Sequence, residues 1–132
     1  MEIGQPPWTT NLSLFFALDK ALDLMLEEGI ANIHSRHAKT AQQFRDGVED
    51  LGLKLLAKPD CASDTITSVL LPDGIAAKDF LSVARLEHNV ELAGGQQSLA
   101  SKIFRIGHLG LVTDDEISQT LHAIKHSLQK LR

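Results

Sequence analysis

Cysteine occurs once in the 132 residues, at Cys61. That lone thiol excludes an internal disulfide framework and any zinc site built from several cysteines. It suits a reducing compartment, so the expected location is cytoplasmic. No apolar run is long enough to span a bilayer. The N-terminus carries neither the basic region nor the small-residue cleavage site of a secretory leader. Charge of either sign is not in large excess. Thirteen Lys and Arg against seventeen Asp and Glu leave a net charge of −4. That gives no ground for nucleic acid or an anionic membrane as a partner. Repeats and low-complexity tracts are missing too. What is present is a 43% hydrophobic chain of a length that fits one domain with an ordinary core.

Pro6-Pro7 keeps residues 1–9 out of a helix. Thr10 or Asn11 then caps a helix running to about Glu28, before Gly29. A second helix is predicted from Ile30 to Leu51. Its stripe is Ile30, Ile33, Ala41, Phe44, Val48 and Leu51, with His37 on the same side. Two strands follow, Leu53 to Leu56 and the β-branched Thr65 to Leu71, the latter closed by Pro72-Asp73-Gly74. Ala76 to Glu87 reads as a helix with Ala77, Phe80, Leu81 and Ala84 inward. Val90 to Ala93 reads as a brief strand, Gly94 to Ser101 as a polar loop, and Ile103 to Ile106 as the last strand. Thr113 and Glu116 form a capping box for a final helix whose buried stripe is Ile117, Leu121, Ile124, Leu128 and Leu131. The sum is a small sheet with helices packed on it, a two-layer α+β domain.

The first helix fits that plan poorly. Asp19, Lys20, Asp23 and Glu27 mark a polar side, yet its first two turns carry Leu12, Leu14, Phe15, Phe16 and Leu18 nearly all round. Such a helix has protein on more than one side. Either it is sunk in its own core, or another domain or subunit belongs there.

Candidate chemistry is sparse. His122 and His126 stand four apart, a spacing that can bind a metal, but no third ligand is set by sequence and solvent-facing histidines give the same pattern. His34 and His37 share that weakness. His108 follows closely on Arg105 in a glycine-flanked loop, either as a turn residue or as a functional group. Cys61 has no basic cluster beside it and reads as an inert thiol. Gly94-Gly95 lacks the full dinucleotide-binding spacing and reads as a tight turn or close backbone approach. Thr9, Thr10 and Asn11 either cap the first helix or help hold an anion at its start. Arg105 is the best single candidate. Alternation places it with Ile103 and Gly107, opposite Phe104 and Ile106. Its guanidinium must meet water, a carboxylate or a phosphate, as a structural salt bridge, a snorkelling side chain or a ligand site.

Three segments together, "PPWTTNLSLFFALDKALDLMLEEG", "LAGGQ" and "KIFRIGHLG", resemble the C-terminal part of class V aminotransferases. The nearest group is the serine–glyoxylate and alanine–glyoxylate enzymes, including the soluble hydrogenase small subunit type. The resemblance implies the C-terminal small domain of a fold-type I pyridoxal-phosphate enzyme, with a short, mainly antiparallel sheet covered by helices. It divides the chain into an N-terminal segment with an interdomain helix, residues 1–28, and the small domain, residues 29–132. It implies that Arg105 holds the α-carboxylate of an amino or keto acid. It also implies that Thr9 contacts the cofactor phosphate of the neighbouring subunit, in a homodimer.

In that family a preceding large domain supplies the Schiff-base lysine, an aspartate on the pyridine nitrogen and an aromatic stacked on the ring. None of the eight lysines here lies in a recognisable Schiff-base segment. The expectation is therefore a fragment of a longer enzyme, or a separately encoded remnant, that does not transaminate alone and does not bind pyridoxal phosphate covalently. In the complete enzyme the amino group of serine or alanine would pass to glyoxylate or a similar keto acid. The rival expectation is a non-catalytic α+β module that binds a ligand or dimerises.

Overall fold

The computed structural model describes residues 8–132. The chain divides into two compact units, one ending at Ser35 and one spanning Arg36–Arg132. In the first, helix α1 covers Leu12–Glu28. Asn11 is its N-cap, accepting a hydrogen bond from the Leu14 amide at 3.2 Å. Of the two cap candidates, Asn11 therefore fills the role. The helix stops at Gly29, whose φ of 83° is open to glycine at little cost. Helix α2, Ile30–Asp50, begins at the next residue.

No residue of α1 is buried. Phe15 and Phe16 are 61% and 73% exposed, and Leu12, Leu14 and Leu18 are exposed as well. The apolar residues surround the axis and leave no single face to turn inward.

The second unit holds the core. Its sheet has four strands: β1 Lys54–Leu55, β2 Ile66–Leu70, β3 Ala93–Gly94 and β4 Ile103–Gly107. Their order is β1-β2-β4-β3, with every neighbour antiparallel. The long pairing joins β2 to β4, from Ile66 opposite Gly107 to Leu70 opposite Ile103. Helices α3, Ala77–His88, and α4, Asp114–Lys130, complete the layer on the core side with the Arg36–Asp50 part of α2. The architecture is the α+β arrangement expected from the sequence, and its sheet is antiparallel.

Alternation decides the two faces. Val69 of β2 and Phe104 and Ile106 of β4 point to the core, where they meet Phe44, Phe80 and Ile124 from the three helices. The rings of Phe80 and Phe104 lie 4.7 Å apart and tilted, a favourable aromatic geometry. The capping box of α4 forms as the sequence predicts. Thr113 Oγ1 accepts from the Glu116 amide, and the Glu116 carboxylate accepts from the Thr113 amide and hydroxyl. Those bonds hold the Glu116 carboxyl below the usual carboxylate range.

The largest discrepancy in the elements lies around β3. The expected strand Val90 to Ala93 is Ala93–Gly94 instead, and the following loop contains a 3₁₀ turn at Gln97–Leu99. Val90 is apolar because it packs against the core from a loop; its amide donates to the Ala84 carbonyl at the end of α3.

Candidate functional site

Arg105 occupies the middle of β4, directly opposite Ser68 on β2 and Ala93 on β3. Residues paired in register share a face, so the guanidinium emerges on the side away from the helices, beside two small side chains. It is half-buried. Its Nε donates to the Gly94 carbonyl at 2.9 Å. It forms no ion pair with a carboxylate among the described residues. One edge of the fork is thus anchored to backbone, and the terminal pair Nη1 and Nη2 has no protein partner there. A guanidinium held this way presents two parallel donors end-on, the geometry that receives a carboxylate.

The anchor depends on the loop from Gly95 to Lys102. The Gly95 amide donates to Ile103 O at 3.2 Å and the Lys102 amide to Leu99 O at 3.0 Å. A Cβ on Gly95 would lie 2.0 Å from the Leu99 carbonyl oxygen, so this position admits only glycine without a backbone shift. The glycine pair read from the sequence as a close approach is one. Its link to Arg105 was not legible, because a backbone carbonyl acceptor leaves no trace in residue type. A cleft of about 540 Å³ around Pro72, Gly74 and Lys102 does not include Arg105.

Thr9 is exposed and lies two residues before the α1 N-cap. All eight lysine side chains are exposed. Cys61 is exposed, with its thiol against the Lys58 carbonyl.

His108 is a core residue, 1% exposed. Its ring stacks on Phe44 at 5.3 Å, and Nε2 lies 2.9 Å from Thr67 Oγ1. Nδ1 is buried without a hydrogen-bond partner. The tautomer with the proton on Nε2 leaves a bare acceptor there instead of an orphaned donor. Burial, with the charge of Arg45 adding to it, holds His108 below the ordinary histidine value. The folded domain therefore keeps it neutral, while the unfolded chain takes up a proton near pH 6.5. Below that pH the unfolded state binds more protons, so stability declines as pH falls and is unaffected above it. The test compares His108→Gln with the parent in urea. The variant is expected to be about 1 kcal/mol less stable at pH 7.5, with a gap that narrows toward pH 5.5. A gap that is constant over that range would remove the assignment.

The remaining histidines separate. His37 accepts from the Gly110 amide at 3.2 Å and helps hold the segment after β4. His126 is not simply solvent-facing, as its position off the apolar stripe suggested. It is half-buried, and its Nδ1 lies 2.9 Å from His88 Nε2.

No family model matches the chain. Individual proteins do. An uncharacterized aminotransferase of Methanocaldococcus jannaschii is 42% identical over 130 residues, covering 98% of this chain and 34% of that protein. The serine–glyoxylate aminotransferase of Methylorubrum extorquens is 40% identical over 108 residues, 81% of this chain and 27% of that protein. Among solved structures, the alanine–glyoxylate aminotransferase of Nostoc superposes with a TM-score of 0.91 at 32% identity, over 97% of this chain and 34% of that one. The fold is thus that of the C-terminal regions of pyridoxal-phosphate aminotransferases. Within them, the chain belongs to the class V aminotransferases and matches only a C-terminal part, about a third of the length of the relatives compared.

Proposed function

We propose that this chain is the carboxylate-binding C-terminal domain of an aminotransferase that moves an amino group from serine or alanine to glyoxylate or a similar keto acid. The observation that supports this is the free end of Arg105, with Nε tied to Gly94 and no carboxylate of the described fold against it. The α-carboxylate docks on Nη1 and Nη2. Two parallel bonds fix the acid's rotation as well as its position, which orients the Cα–H bond toward the reacting centre. Homologous aminotransferases of this fold depend on pyridoxal phosphate, which when bound supplies the electron sink for transamination. In this reading the exposed hydroxyl of Thr9 holds the phosphate of that group across the boundary of a cytoplasmic homodimer. Residues 1–28 act as the N-terminal segment and interdomain helix, and the large domain carries the lysine.

The test is Arg105→Lys in the complete enzyme. Lysine keeps the charge but loses the fork. The expected loss is about 1.5–3 kcal/mol of binding, read as a roughly 10- to 150-fold weaker apparent affinity for the amino-acid donor. An unchanged affinity would end the proposal.

The exposure of all eight lysines is equally compatible with a second reading, a stand-alone module without catalysis. A Schiff-base lysine works from a desolvated pocket. Both readings expect no site-specific covalent adduct between the isolated chain and pyridoxal phosphate; the donor affinity of Arg105→Lys in the complete enzyme separates them, since a stand-alone module has no donor to lose.

A further inference from the structure

The end of α3 and the last turns of α4 bring together residues that neither the carboxylate site nor the core uses. Glu87 and His88 close α3, and Asn89 follows in a left-handed conformation at φ 55° that stops the helix there. His122, His126 and Lys130 recur at intervals of four along α4. The ring of His88 sits 4.6 Å from that of His126 and 5.6 Å from that of His122. Glu87, His88 and His126 each offer one ligand atom, and these atoms all lie within 4.8 Å of one another.

The contact between the two rings is the informative one. His88 Nε2 and His126 Nδ1 stand 2.9 Å apart. Two imidazole lone pairs aimed at each other repel unless a proton or a cation lies between them. Tetrahedral zinc with Zn–N bonds of about 2.0–2.1 Å needs the nitrogens about 3.3 Å apart. The present spacing therefore opens by only about 0.4 Å to admit the ion. Neither ring is committed elsewhere: within the described residues, the hydrogen bond between them is the one each makes. The carboxylate of Glu87 is exposed and free to swing, though one oxygen now accepts from Lys130 Nζ.

We propose that Glu87, His88 and His126 form a binding site for a single zinc ion that ties the end of α3 to α4. Two imidazoles and one carboxylate are a donor set that zinc accepts, with water in the fourth position. His122 lies on the rim of the cluster and is not a ligand. Lys130 opposes binding, because it occupies the carboxylate and adds a positive charge beside the ion. The role is structural and is independent of the reading given to Arg105.

The test is calorimetric titration of the tag-free 132-residue chain with zinc chloride, with folding checked by circular dichroism. One ion per chain is expected. His88→Gln and His126→Gln should each weaken binding on the order of 100-fold, and Glu87→Gln on the order of 10-fold. Lys130→Gln should tighten it severalfold, and His122→Gln should leave it unchanged. If a histidine variant fails to fold, the exposed pair decides: Glu87→Gln and Lys130→Gln must move the affinity in opposite directions. Absence of stoichiometric binding, unaltered affinity in folded His88→Gln, or a loss in His122→Gln as large as in His126→Gln would overturn the site.

Discussion

Replacing Phe104 by alanine is expected to destabilise the unit from Arg36 to Arg132 by about 3–5 kcal/mol. Phe104 is fully buried, and its ring lies against Phe80 at the centre of the cluster that joins sheet to helices. It is held on a strand paired on both sides, by Val69 and by Gly94. The backbone there cannot move in to fill the space, so the cavity cost adds to the lost burial. Urea denaturation should show a lower midpoint with an unaltered slope. In a thermal scan the midpoint should fall by on the order of 15 °C. A loss under about 1 kcal/mol would mean that the core closes around the gap, contrary to the packing described.

Gly95→Ala should damage fold and site together. The added methyl would meet the Leu99 carbonyl oxygen at 2.0 Å, its carbon at 2.5 Å, and Ile103 Cγ1 at 2.8 Å. Two of those atoms are backbone, so no side-chain rotation relieves the contact. The loop has to open, at a cost near the upper end of overpacking, about 3 kcal/mol. Gly94 moves with it and carries away the carbonyl that holds Arg105 Nε. Under the proposed function, affinity of the complete enzyme for the amino-acid donor should therefore fall although Arg105 itself is intact. Full stability with normal donor affinity would show that neither the loop nor the anchor matters.

The sequence was most informative where one residue type dictates one geometry. The capping box at Thr113 and Glu116 and the stop at Gly29 follow from local chemistry alone. The alternation around Arg105 predicted which neighbours share its face, because a strand has a strict period of two. What it could not supply were partners brought together from distant parts of the chain. His88 lies 38 residues from His126, and Thr67 lies 41 from His108. His108 read as a turn residue or a functional group because it follows a glycine; tertiary packing on Phe44 makes it core. The apolar residues of α1 are an opposite case. Their pattern is conspicuous in the sequence, yet an apolar pattern names no partner surface, so it leaves open whether the helix meets its own core or another domain or subunit.

The sheet order has a consequence for how the polypeptide acquires its shape during synthesis. β4 is the last strand in the sequence, yet it lies between β2 and β3 and joins them. A nascent chain that has emerged only as far as Lys102 can zip β1 to β2 and coil α3, but it has no scaffold to unite them. Closure waits for one late segment to insert between partners made earlier, a non-local step that slows assembly. Arg105 rides on that segment, so the side chain proposed to greet the substrate reaches its place in the same event that locks the sheet.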